Sequence, residues 1–252
     1  MVDGLVGSEM CIRDRYDGYR CAEADECGAE KGEGIIGDVS GIELGRGAPA
    51  NGGGGGNSHN TGGGGGSNNG TGGQGGERTN VAATDCQGLN PGLGGHALTY
   101  SNAENRIFMG GGGGAGDQNS NQGTLGMPGG GIVFFRANTV EGNNASILAN
   151  GMTQTDTAHQ DGAGGAGGGG TVLLDINALN TPLTVELEGG NGGNVDNGGA
   201  IDSCFGPGGG GGGGTLWTTG PALPAVMASS VAGGQSGTWL LYTSPSPRDH
   251  QP

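Results

Sequence analysis

Aromatic side chains are scarce in this sequence: two Trp, four Tyr and four Phe in 252 residues. A core of large interlocking side chains is therefore not the expected source of cohesion. Basic residues are also few, 9 Lys and Arg against 24 Asp and Glu. With no cationic patch to neutralise phosphates, nucleic acid is not an expected partner, and anionic membrane surfaces would repel the chain. No apolar run approaches the ~20 residues of a membrane-spanning helix, so no membrane insertion is expected. Helical periodicity is missing as well. No ten-residue segment keeps a 3.6-residue period without several glycines, which argues against helix.

The two ends share nothing with the chain between them. LVGSEMCIR from Leu5 and LLYTSPSPRD from Leu240 can be written on opposite strands of a single stretch of DNA. Residues 1–15 and 240–252 are accordingly expected to be translated sequencing-adapter DNA and are set aside from fold reasoning. Removing their four acidic and three basic residues from the 24 and 9 leaves 20 and 6, a net charge of −14. It also removes Cys11, so the five cysteines become four: Cys21, Cys27, Cys86 and Cys204. No paired C-x-x-C spacing supports a zinc site. An even count fits disulfides in an exported chain, and Cys21–Cys27 is the candidate bridge among three pairings.

What is abundant is glycine, 67 residues, several times the ordinary usage of ~7%. Glycine loses the most backbone entropy on ordering. Ordered glycine tracts would need dense main-chain hydrogen bonding to offset that loss; otherwise they are linker. An acidic, cysteine-containing segment (16–47) precedes a glycine-rich region (48–239). In the latter, GGGIVFFRANTV (Gly129–Val140) recurs as GGGTVLLDINAL (Gly168–Leu179) and more weakly as GGGTLWTTG (Gly212–Gly220). The apolar runs begin at Ile132, Val172 and Leu216, and alternating segments follow the first two, at Asn143–Gly151 and Thr181–Gly190. A rhythm of this period suggests stacked repeats, with β-branched and aromatic runs between glycines reading as short strands. The expected fold is all-β: a glycine-rich repeat assembly of short strands with packed polyglycine-type extended helices, solenoid- or sandwich-like. Such helices have three residues per turn and no internal hydrogen bonds, so they must bond laterally. Asparagine suits this arrangement, because it tolerates left-handed backbone and bonds to neighbouring main chain.

The order of blocks carries a resemblance. RGAPANGGGGGNSHNTGGGGGSNNGTGGQGG, NRIFMGGGGGAGDQNSNQGT, GGGIVFFRANTVEGN, GGGGTVLLDINAL and GPGGGGGGGTLW together resemble the glycine-rich region of large secreted surface proteins of gliding bacteria of the Bacteroidetes type. A more distant likeness is to the glycine-rich ectodomain region of certain receptor tyrosine kinases. The first resemblance implies an extracellular or cell-surface location, a structural or adhesive role, and export with a C-terminal sorting domain, which is not visible in this sequence.

Chemistry-bearing constellations are sparse. His59, His96 and His159 sit among glycine and polar residues and read as loop histidines. No G-x-S-x-G presents a nucleophile, and GPGGGGGGGTLW lacks the Lys-Ser/Thr ending of a phosphate-binding loop. Calcium is the one cofactor with candidate ligands, Asp156 with Asp161 and Asp196 with Asp202, although neither EF-hand nor nonapeptide spacing is kept. Arg136 beside Phe134 and Phe135 could stack on a ligand sugar, or simply occupy the outward face of a strand. The expectation is a non-enzymatic structural or adhesive module. The alternative is recognition of an extracellular glycan or protein ligand through Asn/Asp-rich loops. Ice binding by flat glycine-rich faces is a third reading, without a regular Thr array to support it.

Overall fold

The computed structural model describes residues 28–36, 43–77, 90–100, 106–196, 205–219 and 224–240. Among them the regular structure is β: β1 (Ile132–Leu148), β2 (Ala158–His159), β3 (Thr171–Glu186), β4 (Val195–Asp196), β5 (Thr215–Thr218), β6 (Met227–Ser230) and β7 (Trp239–Leu240). No helix among the described residues is long and apolar enough to cross a membrane. Every strand pairing is parallel. β1 pairs with β3, β3 pairs with β5 and β6, and β2, β4 and β7 form a smaller sheet. Among the described residues one bridge outside the strands, Glu30 with Leu44, is antiparallel. The cysteines, the candidate Cys21–Cys27 bridge included, lie outside the described residues, as does Asp202.

Short strands were expected, yet β1 has 17 residues and β3 has 16. The apolar run and the alternating segment that follows it merge into one strand, which folds back on itself. A straight strand of this length would separate its ends by about 50 Å. Instead, a Cβ placed on Gly169, just before β3, would lie 2.1 Å from the carbonyl oxygen of Leu187, just after it. The same closure brings Gly130 to Ala149 and Gly213 to Val231. In β1 the bend falls at Asn143 and Asn144, with φ of 50° and 61°, where the register with β3 also shifts. Asparagine accepts this left-handed backbone more readily than most residues.

Folding back lets the two halves of each strand face one another. Val172 and Leu174 from the first half of β3 join Leu183, Val185, Leu187 and Ala149 in one buried cluster, with Val133, Phe135, Ile147 and Leu216 packed around it. The middle of β1 is largely exposed and that of β3 is mostly half-buried. Three successive segments thus pair strand to strand in parallel as layers: the first from 123–159, the second from 162–196, and the third from 205–219 and 224–240.

Away from this cluster and a smaller one of Ala158, Ala163, Val195 and Phe205, the described interior is largely main chain. In the run 62–67, Gly62 and Gly65 donate to Gly76 and Gly73, Gly63 and Gly66 to Ala163 and Ala166, and Gly64 and Ser67 to Gly54 and Asn51. Its carbonyls accept from Gly92 and Gly95, Gly209 and Gly212, and Gly114 and Gly111. Every third residue returns to the same neighbour, and the run is surrounded by six others. Segment 28–34 joins the same network, with Ala29 and Gly32 donating to Gly56 and Gly53.

Glycine serves this network through its missing Cβ. Among the described glycines only Gly45, at φ +91°, needs the left-handed region. A Cβ on Gly63 would lie 2.0 Å from the carbonyl oxygen of Gly114, and on Gly66 1.9 Å from that of Gly111. Ordering a residue costs ~1–2 kcal/mol of backbone entropy, while a hydrogen bond returns about 1 kcal/mol net. Only near-complete main-chain pairing can hold such a body together.

Candidate functional site

After each folded strand the chain runs back along one surface, as 149–159, 187–196 and 231–240. The three-residue rhythm turns every third side chain outward there: Asn150 and Thr153, then Glu188, Asn191 and Asn194, then Gln235 and Thr238. These side chains serve the next layer. Oδ1 of Asn150 accepts the Glu188 N–H at 2.7 Å, and Oγ1 of Thr153 accepts that of Asn191 at 3.0 Å. Oδ1 of Asn191 accepts the Gln235 N–H at 2.8 Å, and Oδ1 of Asn194 that of Thr238 at 2.9 Å. These bonds span 38 to 44 residues in sequence, matching the offsets of the strand pairings. A polar ladder therefore covers main-chain donors that the glycine network leaves facing water.

Asn150, Thr153, Glu188, Asn191 and Gln235, with glycines between them, line a shallow depression of about 410 Å³ on this face. Its floor is polar and it holds amide, hydroxyl and carboxylate groups. Hydrogen bonding to a hydroxyl-rich ligand is the chemistry it can perform. A second ladder lies on the folded strands. Arg136 pairs with Asp175 at 2.9 Å, and Asp175 accepts from Thr219 Oγ1 at 2.9 Å. Arg136, with 77% of its side chain exposed, is thus an outward strand residue held by a salt bridge. Asn138 accepts from Asn177, and Glu141 from Asn180, along the same edge.

The second polar locus is buried. Both oxygens of Asp161 accept main-chain N–H groups, from Asn119 and Ser120 at Oδ1 and from Ser120 and Gln122 at Oδ2. Asp161 thereby shapes the loop NSNQ. Asp117 accepts the Asn60 N–H at 2.9 Å. Burial pushes its carboxyl up from 3.8 to about 7; the Asn60 N–H opposes the shift and the Asp161 charge adds to it. His59 lies against Asn119 on the exposed rim. Asp156 is exposed, its N–H donating to Gln154 Oε1. Asp196 pairs with His159 Nδ1 at 3.4 Å. Among the described residues there is no group of three or more His, Cys, Asp or Glu able to hold a metal ion. The candidate calcium ligand Asp161 has its oxygens occupied by N–H donors, and the partner proposed for Asp196 lies outside the described residues.

Sequence reasoning missed the buried amides that finish the glycine runs. Nδ2 of Asn68 donates to the carbonyls of Gly169 and Gly170 and to Thr171 Oγ1, while its Oδ1 accepts from Tyr100. Asn51 donates to Ser67 and Met109 and accepts the Ile35 N–H. The signal was their position at the first residue before, or just after, an oligoglycine tract. No protein-family model, curated protein or solved structure matches the chain.

Proposed function

We propose that this chain is a non-enzymatic structural or adhesive module of a secreted cell-surface protein. Its glycine runs act as polyglycine-type extended helices of three residues per turn, bundled laterally and capped by a solenoid-like stack of folded strands. The observation that carries this reading is the bonding of the run 62–67 to six neighbouring runs with a three-residue period. A body cohering through main-chain bonds can bear many exposed polar side chains, which suits a stalk or scaffold outside the cell. The acidic balance keeps such a body soluble and self-repelling at long range.

Amide exchange tests the reading. Slow exchange throughout 62–67 and 162–170, with a protease-resistant body, is expected; exchange at unstructured rates would sink it. Gly210→Val is expected to remove the folded species, since a Cβ there would lie 2.4 Å from the Gly234 carbonyl oxygen. A second reading, recognition of an extracellular glycan, draws on the polar depression around Asn191. Glycan-array binding that is lost in Asn191→Ala with Gln235→Ala would favour it over a bare scaffold.

A further inference from the structure

From Phe205 to Leu240 the chain contains no Asp, Glu, Lys, Arg or His, although its overall formal charge is −15. This stretch provides the third layer, whose outer face exposes Val226, Val231 and Trp239, the last two by 45–47%. One layer in, the positions equivalent to Val231 and Trp239 are closed. Val195 pairs in register with Trp239, and Leu187 follows Glu186, the partner of Ser230, as Val231 follows Ser230. Leu187 and Val195 are both 0% exposed. The third layer is patterned like one that carries another layer on top of it.

The main chain agrees. Between the first and second layers Met127 and Gly130 donate to the carbonyls of Gly165 and Gly168; between the second and third, Ala166 and Gly169 donate to Gly209 and Gly212. The next donors in this series are Gly210 and Gly213, both buried, and among the described residues their N–H groups have no acceptor. On the returning run, Gly151 and Gln154 donate to Glu188 and Asn191, and Gly189 and Gly192 to Ala232 and Gln235. The next donors, Gly233 and Ser236, are again without acceptors among the described residues. At the opposite end, the first layer offers carbonyls in the matching places. Gly126 and Gly129 stand where Gly165 and Gly168 stand in the second layer, and Asn150 and Thr153 where Glu188 and Asn191 stand. None of these four carbonyls accepts a hydrogen bond from a described residue. The outer edge of β1 is unpaired among the described residues, and Phe134, Leu148 and Met152 are 56–60% exposed beside it.

Among the described residues, one end of the stack therefore carries orphaned donors and the other carries orphaned acceptors at the same spacing, each beside exposed apolar side chains. We infer that the third layer of one copy of this chain docks on the first layer of a second copy, head to tail and in the internal register. The N–H groups of Gly210, Gly213, Gly233 and Ser236 would donate to the carbonyls of Gly126, Gly129, Asn150 and Thr153 of the second copy. β1 of that copy would continue the sheet beyond β5 and β6. Buried unpaired N–H groups are rare in native proteins, and unpaired edges are where sheets extend. Both faces remain available on every complex, so the contact is heterologous and open-ended and yields linear stacks rather than closed dimers. For a surface protein this is a means of lateral or lengthwise association, but the inference rests on the layer geometry alone.

Sedimentation of the whole chain against concentration tests it, at a salt level that screens the net negative charge. Weight-average mass is expected to climb past the dimer. Val231→Asp at one end and Phe134→Asp at the other should each give monomers with unchanged amide-exchange protection. Mixed, the two variants should form a one-to-one dimer and nothing larger, because each keeps the face the other has lost. Trp239→Lys and Leu148→Lys form a second pair should either aspartate variant fail to fold. A chain that stays monomeric, variants that still assemble alone, or a mixture without heterodimer overturns head-to-tail stacking. Slow exchange in a chain that stays monomeric would leave the proposed scaffold standing while removing this contact.

Discussion

Gly66 and Gly131 are chemically identical and structurally opposite. A Cβ on Gly66 would meet the Gly111 carbonyl oxygen at 1.9 Å, whereas nothing lies within 4 Å of one on Gly131. Gly66→Ala must move main chain against main chain and is expected to lose about 3 kcal/mol or more. Gly131→Ala should change stability by less than about 1 kcal/mol, with the sign set by the lower entropy of its unfolded chain. Urea midpoints of the two variants check this contrast. The sequence shows that glycine is needed but cannot separate these positions, since which tracts lie inside depends on neighbours a hundred residues away. Asp117 makes a second residue-scale case. Its folded carboxyl is raised to about 7 from 3.8, so the folded state holds a proton the unfolded chain releases. The associated stability is fully present below the unfolded value and is lost as pH rises through about 7, amounting to a few kcal/mol as an order of magnitude. Asp117→Asn keeps an acceptor for the Asn60 N–H and should flatten that loss, leaving the variant more stable than the parent at pH 8 in thermal melts. A single Asp in GAGDQN gave no sign of burial, because its burial depends on the distant turn at Asn60.

At the scale of elements, the apolar runs beginning at Ile132, Val172 and Leu216 were legible as strands, because alternation and β-branching act locally. The sequence suggested stacking, but the parallel, in-register pairing that joins these runs is a finding of the structure. The bend was not legible: the apolar run and the alternating segment after it read as two elements, and their union requires the fold-back at Asn143 and Asn144. The asparagines pointed towards main-chain bonding, and the ladder gives that tendency a direction, each layer's side chain serving the next layer's N–H. Asn191 sits in the middle, serving Gln235 while its own N–H is served by Thr153. Asn191→Ala removes one exposed acceptor and is expected to lose about 1 kcal/mol. Amide exchange should accelerate at Gln235 but not at Asn191, whose acceptor Thr153 Oγ1 remains. Equal acceleration at both would mean that the ladder melts as a unit.

For the molecule as a whole, the cohesive surface is polar main chain, and this fixes a thermodynamic signature. Unfolding exposes apolar surface, which raises heat capacity, and peptide groups, which lower it. Ordinary domains combine the two to give ~12–15 cal/mol/K per residue. Among the described residues the larger buried apolar side chains lie in a small cluster around Leu174, Leu183, Val185 and Leu187 and a lesser one around Ala163, Val195 and Phe205. Through runs such as 62–67 and 162–170, buried peptide groups dominate. Calorimetry is therefore expected to give a heat-capacity change per residue well below the ordinary range, and a stability curve correspondingly flat on the cold side. The glycine content made this body's dependence on main-chain pairing readable from the sequence. Which run lies beside which was not readable, because oligoglycine tracts carry no side chains to encode a partner. Register must come instead from the residues that interrupt them, such as Asn51, Asn60, Asn68 and Asp117, each buried at the end of a run. Asn68→Leu removes the amide that bonds the carbonyls of Gly169 and Gly170 while keeping the volume. It should broaden the unfolding transition and bring exchange protection in 62–67 and 162–170 down together. A loss confined to the immediate neighbours of Asn68 would show that the runs find their register without it.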